Sequence, residues 1–413
     1  MASLLLYNIG SLATPRPENG TRLSGVAMGT IHTEQNAAIL IENGIIARIG
    51  ASAALEKEIQ SAERFDAKGM TALPGFVDSH THTVFGGNRA NEFAMRSAGK
   101  TYQEIAAAGG GILSTMNATR KASHEELYDI GRERLDAMLR HGTTTVEIKS
   151  GYGLDTASEL KILEVIQELA RTHPMTIIPT FLGAHAFPPE YKNNREAYIE
   201  LVCKEMLPAV KERNLAVFCD IFCEENYFSL EQSERILNTA RELGFKLKLH
   251  ADQLSDGGAS ALGVRLGAVS VDHLECTTAS GVEAIAVSET IATALPGSSL
   301  FLHHPYPPVR QLIDAGAVVA LATDFNPGSS MTFSMPMMMT LAATQMRMTP
   351  EEALTASTLN GAAALYLAHE RGSIEVGKRA DVLLADVSHF YELSYHFAMN
   401  HITHVIKNGK VVV

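Results

Sequence analysis

Positive charge is scarce in this sequence. Its 34 Lys and Arg stand against 46 Asp and Glu, a formal charge of −12 over 413 residues. Polyanions and anionic membranes repel such a chain, so neither nucleic acid nor a membrane surface is an expected partner. Anionic small molecules are disfavoured too, unless a local basic residue captures them. Cysteine is equally sparse. Cys203, Cys219, Cys223 and Cys276 make no disulfide framework at this length, and there is no CxxC pair for a metal. Cys219 and Cys223 lie in AVFCDIFCEE, which alternates like a strand, and are expected to be buried apolar thiols. No apolar run approaches the ~20 residues of a membrane helix. The first residues, MASLLLYNIGSLATP, lack the basic and long apolar regions of a secretory signal. A soluble, cytoplasmic protein is expected. Also missing are a GxGxxG after a strand, a P-loop lysine, a repeat of fixed period and any low-complexity tract.

What is present is ample core material, with 46% hydrophobic residues. The two ends resemble each other. AAILIENGIIARIG reads as strand, tight turn at Asn43-Gly44, strand. GSIEVGKRADVLLADV and THVIKNGKVVV read likewise, with a turn at Asn408-Gly409. Both ends are expected to be antiparallel β and to meet in one small sheet or sandwich, because lone hairpins are marginal. Between them, eight β-type runs alternate with amphipathic helices: GFVDSHTH, TTTVEIKSGYG, MTIIPTFLGAH, VFCDIFCEE, FKLKLHADQ, AVSVDHLE, ETIATALPG and AVVALATDFNPG. Capping boxes open helices after Ser123, Ser229 and Thr349, the last with Pro350 at the first helical position. Leu127, Ile130, Leu135, Met138 and Leu139 mark one helical face. The expected fold is α/β: a (β/α)8 TIM-like barrel over residues 74–367, and a small β-sandwich from residues 1–73 and 368–413. Gly109-Gly110-Gly111 reads as a flexible loop near the site.

Functional residues of such a barrel sit at the C-terminal ends of its strands. In order, those ends carry His80 and His82; Glu147, Lys149 and Tyr152; His185; Cys223-Glu224; His250, Asp252 and Gln253; Asp272-His273; and, on the eighth, Asp324 and Asn326. Residues i and i+2 of a strand face the same way, so His80 and His82 can clasp one ion. With 16 His in the chain a chance HxH is nearly expected, and the pair alone says little. Its register with His250 as a third nitrogen ligand and Asp324 as the carboxylate is what counts. Three His and one Asp suit Zn²⁺ or Fe at an open site that also holds a water.

The chain resembles the amidohydrolase superfamily. The resemblance rests on PGFVDSHTH, the His of the fifth and sixth strands, the Asp in ATDFNPGS, and the flanking β segments; TASTLNGAAAL and GSIEVGKRADVLLADV extend it. HTHTVFGGNRANEF, AAAGGGILSTMNATR, VEIKSGYGL, LHADQLS, VDHLE and DFNPGSS make it most similar to members that open the ring of imidazolone propionate in histidine degradation. Two-metal members use a carboxylated Lys at the end of strand four. Here that end reads Phe222-Cys223-Glu224, so one metal is expected, with Lys149 supporting a loop. The resemblance implies attack of a metal-activated water on a cyclic amide, leaving N-formimidoyl-glutamate. Asp324 would hold the metal and accept the water's proton, and His273 would orient the water or shuttle a proton. His185 would polarise the carbonyl or bind the ring. Asp252 is a candidate acid/base toward ring nitrogen, and Gln253 a neutral partner.

Arg89 is the natural clamp for the propionate, with Tyr152 on the same carboxylate. The competing reading of Arg89 is an ion pair with Glu92. By resemblance Asn326, Gly328 and Ser329 also line the site, and the protein is a homodimer. Two alternatives stay open: another mononuclear amidohydrolase, such as a nucleobase deaminase, and a non-catalytic barrel scaffold. His303-His304 read as a loop near the mouth. His141, His173, His401 and His404 read as solvated, and the Met run SMPMMMTLAATQM as core packing.

Overall fold

The computed structural model describes residues 3–17, 20–100, 104 and 110–413. All eight β-type runs of the middle segment are strands. We label them β1 (Phe76–Asp78), β2 (Thr143–Lys149), β3 (Thr176–Ala184), β4 (Phe218–Cys223), β5 (Lys246–Ala251), β6 (Ser270–His273), β7 (Ile291–Ala294) and β8 (Val319–Leu321). Each pairs in parallel with the next, in sequence order. Every residue of β2 is buried, as expected of a parallel strand covered on both faces.

The barrel closes only at its upper rim. β8 and β1 share no ladder; instead the Asp324 N–H donates to the His80 carbonyl (3.1 Å) and the His82 N–H to the Phe325 carbonyl (2.9 Å). Beneath them the Asp78 carboxylate accepts from the Thr323 N–H (3.0 Å) and hydroxyl (2.6 Å). Burial pushes Asp78 up to about 7, against those two bonds.

The expected helix starts are real. Ser123 with Glu126, Ser229 with Gln232, and Thr349 with Glu352 each form reciprocal capping boxes. Leu127, Leu135, Met138 and Leu139 are buried against the barrel, while Ile130 is only half-buried. Met335, Met338 and Met339 are core residues, and Cys219 and Cys223 are buried thiols, as read from their context.

The chain ends meet in one hydrogen-bonded sheet of eight strands. Thr71–Pro74 pairs antiparallel with Val382–Ala385 and parallel with Ser3–Pro15, which also takes Glu63–Asp66 in parallel. The sheet is therefore mixed rather than purely antiparallel, because chain entering the barrel returns alongside the first strand. Asn43-Gly44 and Asn408-Gly409 are both turns with two successive positive φ angles (51°, 81° and 48°, 76°), which suits the Asn-Gly pair. They touch: a Cβ on Gly44 would come within 2.8 Å of the Asn408 carbonyl oxygen. Leu4, Leu6, Ile39, Val382, Leu384 and Ile406 form a core for this sheet, distinct from that of the barrel.

Candidate active site

The strand ends converge as their register requires. His80 and His82 follow β1, His250 lies on β5, and Asp324 follows β8; all four are buried. Asp324 Oδ1 lies 3.7 Å from His80 Nε2 and 3.6 Å from His82 Nε2. His250 offers a ring nitrogen within 4.8 Å of those of His80 and of His82. His80 Nε2, His82 Nε2, His250 Nε2 and Asp324 Oδ1 are buried with no hydrogen-bond partner. Orphaned polar atoms at this depth cost about 1–3 kcal/mol each. His80, His82 and Asp324 form one group of ligand atoms within 4.8 Å of one another, and His250 joins His80 and His82 in separate groups with His273 and His185. Three nitrogens and one carboxylate oxygen are the donor set of a mononuclear Zn or Fe site, and His80, His82, His250 and Asp324 can supply it.

The far side of two rings is committed. His80 Nδ1 donates to the Asp272 carboxylate at 2.7 Å, and His250 Nδ1 lies 3.1 Å from Asp220. The His80 hydrogen bond fixes a tautomer with Nε2 as the free lone pair, and the carboxylate beside His250 Nδ1 favours the same tautomer there. Burial holds His80 and His82 well below the usual imidazole range and lowers His250 as well, so all three are neutral, the form that binds metal. Burial also pushes Asp324 up to about 7; a bound cation would reverse that shift.

A cavity of about 170 Å³ opens over this cluster, lined by Arg89, Tyr152, His185, His250, Gln253, His273, Asn326, Gly328 and Ser329. These are nine of the residues singled out from sequence. Arg89 also makes the competing contact: its Nε donates to Glu92 at 2.8 Å, and a second guanidinium nitrogen reaches the other carboxylate oxygen. The two readings coexist, because Nη1 lies over Gly328, where any Cβ would come within 2.3 Å of it. The Tyr152 hydroxyl donates to Asn326 Oδ1 (2.9 Å), which also accepts from the Gly328 N–H (2.8 Å). His185 Nδ1 donates to the Gly151 carbonyl at 2.9 Å. Burial pushes that ring down to about 3, so His185 is neutral with Nε2 as an acceptor. His273 differs. Burial lowers it, but Glu275 at 3.2 Å, helped by Asp324 and Asp272, outweighs this and raises it.

Asp252 is placed elsewhere. Its carboxylate accepts from the Ala259 N–H (2.9 Å), the Ser260 N–H (3.4 Å) and the Thr277 hydroxyl (3.0 Å), and it does not line the cavity. It anchors the start of helix Ala259–Leu266 rather than facing ring nitrogen. Ser329 lines the cavity but directs its hydroxyl to Asp324 Oδ2 (2.6 Å). Lys149 supports no loop: it is fully buried among carboxylates. His303 and His304 join no metal-type cluster among the described residues, and adjacent Leu302 lines the cavity. His173 is buried against Asp136 (3.2 Å) rather than solvated. Of the Gly109–Gly111 loop, Gly109 lies outside the described residues; the Gly111 N–H donates to Glu92 (2.7 Å).

Several contributors escape a strand-end reading. Tyr227, Leu254, Leu302 and Ile112 supply apolar wall, beside Phe222 from the end of β4. Glu159 accepts from the N–H groups of Gly151 (3.0 Å), Gly153 (2.7 Å) and Leu154 (2.8 Å), and so holds the loop that carries Tyr152.

Residues 71–412 match the model of the amidohydrolase family. An imidazolonepropionase from Geobacillus sp. (strain WCH70) is 46% identical over all of this chain and 98% of its own length. Another, from Shewanella sp. (strain ANA-3), is 50% identical over 91% of this chain and 93% of its own. Among solved structures, an adenosine deaminase from Xanthomonas campestris with bound zinc superposes with a TM-score of 0.73 at 20% identity, covering 99% of this chain and 92% of its own. Guanine deaminase from E. coli gives 0.75 at 15% identity, covering 100% and 99%. These two establish the shared fold. With the near full-length relatives, they show that the chain belongs to the amidohydrolase family and, within it, to the imidazolonepropionases.

Proposed function

We propose that the chain hydrolyses the ring amide of 4-imidazolone-5-propanoate to N-formimidoyl-L-glutamate. One observation carries this reading: the Arg89 guanidinium lines the same small cavity as His185, His250 and His273. A cationic fork at one wall and an imidazole cluster at the other match a substrate with a carboxylate tail and a polar ring. The relatives that match nearly the whole chain carry the name of that activity.

His80, His82, His250 and Asp324 would hold one ion per subunit, Zn or Fe. Such an ion supplies a water of lowered pKa and draws charge from the amide carbonyl. The chain's own groups do the rest. Arg89 takes the propionate, and Asn326 and Tyr152 complete that wall. His185, neutral with its Nε2 accepting, binds a ring N–H rather than polarising the carbonyl. Gln253 adds a neutral hydrogen bond. Asp324 takes the proton of the attacking water, and His273, held by Glu275, relays it. Water oxygen bonds to the carbonyl carbon, the ring C–N bond breaks, and the departing nitrogen takes the proton. Asp252, with its oxygens engaged elsewhere, has no part in this scheme.

Turnover of imidazolone propionate by the purified protein, with its metal content measured, tests the proposal. Hydrolysis of a neutral nucleobase with no action on imidazolone propionate would sink it. We further infer a cytoplasmic homodimer. Exposed Met399, which lines one groove with exposed Leu300 and Met331, and exposed Phe397 supply apolar surface for self-association. A monomer in solution by light scattering would remove that inference. The division of the chain at residues 74 and 367 is part of the same reading.

A further inference from the structure

Behind the ligand cluster lies a group of charges, Lys149, Glu147, Asp220 and Asp272, none of which lines the cavity. Lys149 is fully buried. Its ammonium lies 2.8 Å from Glu147 Oε1, 2.7 Å from Asp220 Oδ2 and 3.9 Å from Asp272 Oδ2. Each carboxylate has a second contact, and each of those goes to a ligand-bearing segment. Asp272 accepts from His80 Nδ1 (2.7 Å), Asp220 lies 3.1 Å from His250 Nδ1, and Glu147 accepts from the N–H of Thr81, between His80 and His82 (3.3 Å).

We propose that Lys149 is a positioning residue of the metal centre, holding Glu147, Asp220 and Asp272 in place against the backbone and rings that present His80, His82 and His250. The inference rests on the reading that those histidines hold an ion. Three fully buried carboxylates this close repel one another and are costly unless a cation compensates them. Lys248 helps only in part, lying 3.5 Å from Asp272 while donating to Ser270 (2.6 Å). Lys149 alone reaches two carboxylates within 3 Å and approaches the third. A compact ammonium on a flexible stem, with three donors, suits that position better than a planar guanidinium. An apolar side chain of similar size would fill the space as well, so packing alone does not account for the charge. The orientation of the histidine rings does.

The test uses the full-length protein and Lys149→Met. The dissociation constant for Zn²⁺ is measured against a chelator, and the visible spectrum is recorded with Co²⁺ in the site. Loss of such supporting contacts lowers metal affinity about 10- to 100-fold, and a fall of that size with an altered Co²⁺ spectrum in a folded variant is expected. Equal or tighter binding with an unchanged spectrum overturns the proposal, even if the variant melts earlier, because Lys149 would then be a structural cation only. If Lys149→Met does not fold, Lys149→Gln, which keeps a donor without the charge, is read in the same way. Failure of the underlying reading looks different: the unsubstituted protein itself takes up no ion, and both ideas fall.

Discussion

The Ser329 hydroxyl donates to Asp324 Oδ2 at 2.6 Å, which leaves Oδ1 as the oxygen that faces His80 and His82. One oxygen is tethered, the other presented. Ser329→Ala is expected to lower kcat by roughly 10- to 100-fold, the usual cost of losing a contact that orients a metal ligand, with KM little changed. Steady-state kinetics decide it. A raised KM with kcat intact would return Ser329 to the substrate-binding role read from sequence.

Arg89→Ala is expected to raise KM for imidazolone propionate by roughly 10- to 100-fold, from a charge-assisted hydrogen bond worth about 1.5–3 kcal/mol. Metal content should not change, since Arg89 approaches none of the four ligand atoms. An unchanged KM would leave Arg89 as the partner of Glu92 and nothing more.

Glu159 holds the loop amides of Gly151, Gly153 and Leu154, and Gln at this position would turn a donor toward N–H groups that need an acceptor. Glu159→Gln is expected to cost about 1–3 kcal/mol of stability for each unpaired buried amide, and to raise KM through Tyr152. Thermal unfolding and kinetics should move together. A lower melting temperature at constant KM would separate the loop from substrate binding.

Stability at alkaline pH should respond to Lys407, far from the cavity. Burial pushes its ammonium down to about 8, against Asp381 at 2.6 Å. An unfolded lysine titrates near 10.4, so between about 8 and 10.4 the unfolded chain binds more protons. Stability attributable to this group therefore rises with pH across that window, by at most about 1.4 kcal/mol per unit. Denaturant titrations of the protein and of Lys407→Met should diverge there; parallel curves would contradict the assignment.

Stripping the ion with a chelator is expected to abolish turnover and lower the melting temperature, because an ion that binds only the folded chain stabilises it by mass action. Zn²⁺ and Fe²⁺ added back separately identify which restores both. Full activity in thoroughly demetallated protein would contradict the proposed chemistry.

Much of this was legible because β-strands carry their chemistry in period two. His80/His82 and the position of His250 declared one face, and the eight runs declared their own number. Capping boxes marked three helix starts with no tertiary help. The same rule could have been carried further. Glu147/Lys149, Lys248/His250, Ser270/Asp272 and Asp220/Phe222 are also i, i+2 pairs, so their inward direction was readable. What was not readable is stagger: which carboxylate of one strand meets which ring of the next depends on register shifts such as that between Phe181 and Ala184. Asp252 misled for a related reason. It follows the His250 strand closely, but its φ of 51° turns it out of the strand and toward a helix start.

The upper-rim seam has a mechanical consequence. Because β1 and β8 share no ladder and His80, His82 and Asp324 sit on the backbone contacts that join them, an ion bound there would rivet the first strand of the barrel to the last. Catalytic competence and closure of the cylinder would then be one event. The amides of His82 and Asp324, whose hydrogen bonds cross the seam, would exchange with solvent sooner than the rest of the barrel whenever the rivet is withdrawn.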